Sequence, residues 1–163
     1  MSSEGSPASR PRGATEAAGL RIAIIAARFN AQVTDRLVDG ALKALTSHGA
    51  HEADIETWRV PGAWELPQAA ARAVRAGRYN AIVTLGCVIR GETPHFDYVC
   101  QEASLGLGAV ARSATIPLAF GVLTTDDLAQ ALARAGDGPD NKGYEAAMAV
   151  LEMVSVFRGL GAD

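Results

Sequence analysis

The chain of 163 residues has the length of one ordinary domain, and its 48% apolar and 20% charged residues are a normal globular balance. A formal net charge of -3 without a basic run argues against nucleic-acid binding, and no apolar stretch reaches the roughly 18 residues of a membrane span. Two cysteines, Cys87 and Cys100, are too few for a disulfide framework, so we expect a cytoplasmic protein with reduced thiols.

Residues 1–19 are predicted to form a flexible tail ahead of a single domain that spans residues 20–163. The tail is rich in Ser, Pro, Ala and Gly, and its few large apolar side chains cannot offset the conformational entropy lost on ordering. It also lacks the apolar region of a signal peptide. Pairing of its last residues with a neighbouring subunit is an alternative that the composition leaves open.

After the tail, short apolar runs alternate with longer segments of helical periodicity. In chain order they predict a strand at residues 22–27, a helix at 33–45, a strand at 55–60, a helix at 66–76, a strand at 81–85, a helix at 95–113 and a strand at 117–121. Thr124 and Asp127 then have the spacing of a capping box, which predicts a helix that continues to residue 135. A last helix is predicted at residues 144–157.

Strand and helix alternate four times, and the connections are too long for hairpins. This pattern predicts an α/β fold in which a four-stranded parallel sheet is covered by helices on both faces. Ligands of such sheets bind beyond the carboxyl ends of the strands. We therefore expect the functional site to be built from residues 28–30, 61–67, 86–95 and 121–124.

His95 is the leading candidate for proton transfer because it follows Pro94 and opens the third predicted helix. The positive end of the helix dipole disfavours a charged imidazole, and a neutral imidazole is a good proton acceptor near pH 7. Gly91, Glu92 and Thr93 precede the same helix, where backbone amides and a hydroxyl can hold an anion such as phosphate. A capping histidine and an ordinary flexible loop stay open as alternatives.

Two aromatic residues, Phe29 and Trp64, lie in predicted loops, where they either pack locally or sandwich a planar ligand. Glu65, beside Trp64, adds an acceptor for polyol hydroxyls. Arg134 and Lys142 flank a turn near a helix end, and their simplest interpretation is that of two solvated cations.

Cys87 directly follows a predicted strand, and one hypothesis makes it a nucleophile with His95 as its base. Its neighbours lack the glycine spacing of a nucleophile elbow, so we interpret it as a small apolar filler. The histidines and cysteines have no recognised metal-ligand spacing, and no dinucleotide or ATP motif is present. We therefore expect neither a metal nor a cofactor.

Five segments together resemble the lumazine synthase family, and the run GETPHFDYV at residues 91–99 is the most specific of them. They stand in family order, at residues 28–30, 60–67, 85–99, 120–124, and 134–136 with 141–143. The resemblance implies a flavodoxin-like, three-layer fold. It also implies an enzyme, 6,7-dimethyl-8-ribityllumazine synthase, that catalyses the penultimate step of riboflavin biosynthesis. That enzyme condenses 5-amino-6-(D-ribitylamino)uracil with 3,4-dihydroxy-2-butanone 4-phosphate, without a metal or cofactor.

Carried over to this sequence, the resemblance implies a role for each residue of the site. The residues around the pyrimidine substrate are Phe29, which stacks on the ring, Ala63, Trp64 and Glu65, which line the ribityl chain, and Val88 and Ile89, whose backbone groups hold the pyrimidinedione edge. Glu92 and Thr93 cradle the phosphate, and His95 shuttles protons. Trp64 is bulkier than the residue in many members, and the Glu92 side chain is expected to point away from the phosphate.

The resemblance further implies that an adjacent subunit completes the site with Phe120, Lys142 and Arg134, the last as the principal phosphate partner. A monomer should then be inactive, and the minimal unit is a pentamer. The short connection at residues 136–141 favours an icosahedral shell of twelve pentamers, and riboflavin synthase is a candidate partner. Two alternatives are a non-catalytic shell protein that binds flavin or lumazine and a riboflavin synthase of the archaeal kind; the residues around His95 argue against the second.

Overall fold

The computed structural model describes residues 13–161, which contain four strands, five α-helices and two short 3₁₀ helices. The strands are β1 (Ile22–Ala27), β2 (Ile55–Val60), β3 (Ala81–Ile89) and β4 (Leu118–Thr125). The helices are α1 (Ala31–Ser47), α2 (Leu66–Ala76), α3 (His95–Ser113), α4 (Leu128–Ala133) and α5 (Lys142–Leu160), with 3₁₀ turns at Glu52–Asp54 and Ala63–Glu65. All four strands are parallel, in the order β2-β1-β3-β4. The predicted flavodoxin-like α/β fold is confirmed.

The central strand β1 shows why the sheet needs helices on both faces. Its side chains alternate between the faces, and all of its residues are buried. Ile22 and Ile24 pack in one hydrophobic cluster with α1 and α5, whereas Ala23 and Ile25 pack in the other with α2 and α3. The strand therefore carries a continuous apolar run, and its carboxyl end meets the helix starts at one edge of the sheet.

Strands β3 and β4 are longer than predicted. The sequence analysis ended the third strand before Gly86, but β3 continues to Ile89 because residues 86–89 pair with β4. Position 86 suits a glycine even inside a strand, because the Cβ of any other residue would lie only 3.3 Å from the Leu66 side chain. The predicted capping box at Thr124 is wrong, since Thr124 is part of β4, and Asp127 caps α4 by accepting a 2.8 Å hydrogen bond from the Gln130 backbone N–H.

The residues just before β1 pack against the helices on one face of the sheet. Ala17 is buried and its N–H donates to the carbonyl of His48 at 2.8 Å, while the Ala14 N–H donates to Ser155 Oγ at 3.0 Å. Residues 1–12 lie outside the described residues, so their flexibility stays a prediction. The domain boundary at residue 20 also stays a prediction. Within residues 13–161, no helix combines the length and the apolar character needed to cross a bilayer.

Candidate active site

A cavity of about 530 Å³ opens at the carboxyl edge of the sheet. It lies among the segments that follow β1, β2 and β3 and the first turns of α3, as expected for a doubly wound sheet. The residues predicted to surround the pyrimidine substrate all line it, together with His95 and one of the two residues predicted to hold the phosphate, Thr93: the first group is Phe29, Ala63, Trp64, Glu65, Val88 and Ile89. These residues come from four parts of the sequence, and the parallel topology brings them together.

Two aromatic side chains stand exposed at this cavity. Phe29 is 71% exposed and Trp64 is 51% exposed, although aromatic side chains normally gain most from burial. The segment that carries Phe29 is fixed through its backbone, because its N–H donates to the carbonyl of Pro61 at 3.1 Å. Flat apolar surfaces held open at a cavity are suited to a planar ligand.

Asn30 fixes the same segment from the other side, a role that the sequence analysis missed. It has a left-handed backbone conformation (φ 60°), which asparagine tolerates better than most residues, and its Nδ2 donates to the carbonyl of Cys87 at 2.8 Å. This bond ties the end of β1 to the end of β3. An asparagine just before a helix usually indicates a cap, but here its side chain makes no cap hydrogen bond.

The two carboxylate oxygens of Glu65 have different surroundings. Its Oε2 accepts a 3.0 Å hydrogen bond from the Gly62 backbone N–H, which fixes the turn that presents Trp64. Among the described residues, no group holds Oε1. One oxygen therefore orients the side chain, and the other is available to accept a hydrogen bond from a ligand hydroxyl.

His95 is the first residue of α3 and its side chain is exposed to the cavity. Its backbone N–H lies 3.5 Å from Thr93 Oγ, so the Thr93 hydroxyl sits at the start of the helix, where anions are favoured. Glu92 lies in the same segment, is exposed, and is not among the residues that line the cavity. Its role in holding phosphate stays a prediction.

The hypothesis of a cysteine nucleophile finds no support in the surroundings of Cys87. Its side chain is buried among apolar residues of the core, and this burial raises the pKa of the Cys87 thiol to about 11. A thiol with that pKa is about one part in 10⁴ thiolate at pH 7, and the thiolate is the nucleophilic form. Cys100 is only partly buried on α3.

The three remaining predicted residues, Phe120, Arg134 and Lys142, line a second cavity of about 450 Å³ along β4 and α5. No residue lines both cavities. Phe120 is 49% exposed on β4, which is an edge strand of the sheet. The fold thus divides the predicted residues between two separate cavities, one with His95 and one with two cations.

The family model of 6,7-dimethyl-8-ribityllumazine synthase matches residues 19–158. The chain is also 48% identical over 146 residues to the 6,7-dimethyl-8-ribityllumazine synthase of Chlorobium phaeobacteroides. The aligned residues make up 90% of this chain and 94% of that relative. The chain belongs to the lumazine synthase family. The family predicted from the five segments is confirmed.

The segment that carries the two cations is held by Asn141, a second residue whose role the sequence analysis missed. Asn141 is 2% exposed, and its Oδ1 caps α5 by accepting from the N–H groups of Gly143 and Tyr144 at 2.8 and 3.0 Å. Its Nδ2 donates to the carbonyls of Arg36 and Gly136 at 3.1 and 2.8 Å. One side chain therefore joins α1, α5 and the turn between α4 and α5.

Arg134 and Lys142 are coupled through that turn, because the Lys142 N–H donates to the carbonyl of Arg134 at 2.9 Å. Each side chain makes one exposed contact within the same chain. Arg134 Nη1 donates to the Gln130 carbonyl at 2.9 Å, and Lys142 Nζ lies 2.8 Å from Glu145 Oε2. Exposed pairs of this kind contribute little to stability. Both cations can therefore be recruited by an anionic ligand.

Proposed function

We propose that the protein catalyses the condensation of 5-amino-6-(D-ribitylamino)uracil with 3,4-dihydroxy-2-butanone 4-phosphate to 6,7-dimethyl-8-ribityllumazine, phosphate and water. The match to the lumazine synthase family over residues 19–158 supports this activity, and the sequence-based prediction of it is confirmed. The observation that carries the proposal is the cavity that holds Phe29, Glu65 and His95 together. A non-catalytic binding protein of the same fold is not favoured.

The pyrimidine substrate fits the cavity beside β3. The register of β1 with β3 ends at Leu85, so the last residues of β3 have lost their neighbour on that side. The carbonyl of Cys87 points to the vacated side, where it accepts from Asn30, and backbone groups of alternate residues point the same way. The N–H and C=O of Ile89 are thus directed toward the cavity, where a pyrimidinedione edge can pair with them.

The other groups of the cavity match the rest of this substrate and the chemistry. Phe29 offers a face on which the ring stacks, and Glu65 Oε1 accepts from hydroxyls of the ribityl chain beside Trp64. Imine formation, phosphate elimination and ring closure each move protons, and His95 is positioned to accept and return them. Thr93 and the start of α3 face the phosphate.

A second subunit completes the site in this proposal. Phe120, Arg134 and Lys142 line a cavity that is separate from the one with His95, which supports the proposal that a neighbouring chain brings them to it. The phosphate then lies between Arg134 of one chain and the α3 start of the next. We propose a pentamer as the minimal unit and a shell of twelve pentamers as the assembly, supported by the short turn between α4 and α5.

The location and partner follow from the same proposal. The proposed cytoplasmic location is supported by the two cysteines, which are both free. Riboflavin synthase is the proposed partner because it would consume the lumazine product.

Light scattering distinguishes a shell from a single pentamer by mass, and a pentamer-sized particle at all concentrations would rule out the shell.

The activity is tested by mixing the purified oligomer with both substrates and following lumazine fluorescence against the slow uncatalysed reaction. A rate that scales with protein concentration is expected. If the assembled oligomer gives only the background rate and still binds lumazine or riboflavin in a titration, the proposed activity is wrong and a binding role replaces it.

A site shared between chains predicts complementation of two defective variants. His95→Ala and Arg134→Ala should each be impaired alone, the latter by the roughly 1.5–3 kcal/mol of a hydrogen bond to a charged group. Coexpressed in equal amounts, they assort at random, so about a quarter of the subunit interfaces pair an intact His95 with an intact Arg134. We expect the mixed oligomer to recover about that fraction of the parent activity.

The control for complementation coexpresses the parent chain with a chain that carries both substitutions. If sites are shared, this mixture also retains about a quarter of the parent activity, since both halves must come from parent chains. If each chain holds a whole site, it retains about half, and the two single variants recover nothing together. That second pattern would contradict the shared site.

Cys87→Ala should leave turnover close to that of the parent protein. The thiol is buried and its pKa is raised to about 11, so it supplies no nucleophile at neutral pH. The measurement is kcat and KM for both substrates, with thermal unfolding to register the lost packing. Loss of turnover in a variant that stays assembled would restore the nucleophile hypothesis.

A further inference from the structure

Arg90 lies between the end of β3 and the start of α3, and its contacts join three parts of the chain. Its backbone N–H donates to the carbonyl of Thr125 at 2.8 Å, which fixes its main chain to the end of β4. Its Nε donates to Asp126 Oδ1 at 3.0 Å, and its Nη1 lies 3.8 Å from Asp97 Oδ1. The guanidinium carbon is 4.4 Å from the centre of the Phe96 ring.

Two of these partners, Phe96 and Asp97, directly follow His95 in the first turn of α3. The N-terminal side of that turn is open to solvent. Its N-cap residue is Pro94, which makes no side-chain cap hydrogen bond, and residues 91–95 are all exposed. Arg90 contacts this turn through the Phe96 ring and the Asp97 carboxylate, which adds side-chain contacts where Pro94 makes none.

The chemistry of the contacts points to orientation rather than to stability. Arg90 and both of its carboxylate partners are at least half exposed, and ion pairs of that kind stabilise a fold weakly. A guanidinium is planar, however, and can stack on a ring while it donates in two fixed directions. Such a contact specifies the position of the turn, and small displacements of a reacting group are costly in rate.

Arg90 is not placed to bind substrate itself. It is absent from the lining of the cavity with His95 and from that of the cavity with Arg134. Its Nε is hydrogen-bonded to Asp126, and its Nη1 faces Asp97.

We propose that Arg90 is a positioning residue that holds the first turn of α3 against the end of β4 and thereby sets the direction of the His95 imidazole. The inference rests on the proposed function, because it assigns Arg90 to the proton transfer performed by His95. It goes beyond the residues that contact the substrates, since Arg90 acts only through the turn that it braces.

The test compares Arg90→Met and Arg90→Lys with the parent protein. Both variants should assemble and melt like the parent, because the lost contacts are exposed. We expect kcat to fall about 10- to 100-fold in Arg90→Met, while KM for the butanone phosphate changes by less than about threefold. Arg90→Lys should recover little of the lost rate, since an ammonium cannot stack and donate in the same geometry.

A double-mutant cycle with His95→Ala separates positioning from other roles. If Arg90 acts through His95, Arg90→Met has no further effect on the rate of the His95→Ala variant. Arg75→Met, at the exposed end of α2, is the matched control and should behave as the parent does.

Three results would overturn the inference: a parental kcat in Arg90→Met, additive losses in the cycle, or a raised KM that Arg90→Lys restores. The last would identify Arg90 as a phosphate ligand. The failure of the proposed function is distinguishable, because the parent protein itself would then show no turnover.

Discussion

Replacing His95 by alanine should lower kcat about 10²–10⁴-fold, the usual contribution of a general acid–base group. Of the side chains that line the cavity, Cys87 keeps its proton at neutral pH and Glu65 has one oxygen engaged by Gly62. Imidazole is the group that both accepts and donates protons near pH 7. The loss should fall on the chemical steps, because the ring contacts attributed to Phe29 and the backbone of β3 are unchanged.

The measurement is the rate of lumazine formation at saturating concentrations of both substrates, with the uncatalysed rate subtracted. His51→Ala is the matched control, since His51 is exposed next to a 3₁₀ turn away from both cavities. Added imidazole should restore part of the rate of the His95 variant, because the cavity is open to solvent at the vacated position. Near-parental turnover without added imidazole would remove His95 from the mechanism.

Local signals in the sequence were sufficient to predict much of the site. Pro94 marks the start of α3, and this alone places His95 at a helix end on the carboxyl edge of the sheet. The apolar run of β1 and the glycine after α2 similarly give element bounds that the structure repeats. These features depend on residues within a few positions of one another.

Features that depend on distant partners were missed. The length of β3 is decided by its pairing with β4, which extends the strand beyond the end that Gly86 predicts. Asn141 contacts the carbonyl of Arg36, which is 105 positions away, and the Arg90 contact with Asp126 spans 36 positions. Neither pair has a spacing that distinguishes it from solvated side chains, which is why Arg90 and Asn141 were not predicted.

The separation of the two cavities has a consequence for stability as well as for catalysis. Phe120 and Phe29 are both exposed in one chain, and a neighbouring subunit that joins the two surfaces would bury them. The aromatic side chains would then contribute to assembly and to ligand binding at once. In the proposed oligomer, substrate binding and subunit association therefore stabilise each other.

Asn141→Ala should be the most destabilising single change in the segment that carries Arg134 and Lys142. It removes the side chain that caps α5 and with it four hydrogen bonds. The bond from the Gly143 N–H is buried, so its unpaired donor costs roughly 1–3 kcal/mol, and the three part-buried bonds contribute about 0.5–1.5 kcal/mol each. The affected groups are the N–H of Gly143 and Tyr144 and the carbonyls of Arg36 and Gly136. We expect a total loss of about 3 kcal/mol or more, a large share of the roughly 5–15 kcal/mol that stabilises a typical domain.

Close packing around Asn141 leaves little room for relaxation. A Cβ on Gly40 would collide with the Asn141 side chain, and one on Gly143 would collide with the Leu37 carbonyl, so α1 and α5 approach through glycines. The start of α5 should therefore lose order when Asn141 is removed. Lys142 and Arg134 would lose their shared geometry with it, and KM for the butanone phosphate should rise.

Thermal unfolding at one fixed protein concentration, together with hydrogen exchange at the Gly143 and Tyr144 amides, measures the effect. Asn80→Ala is the matched control, because its Oδ1 accepts a single exposed hydrogen bond from the Arg21 N–H at 2.8 Å and its loss should cost little. A lower melting temperature and faster exchange are expected for Asn141→Ala alone. If both variants melt together, water has replaced the four bonds of Asn141, and the turn between α4 and α5 holds its cations without that side chain.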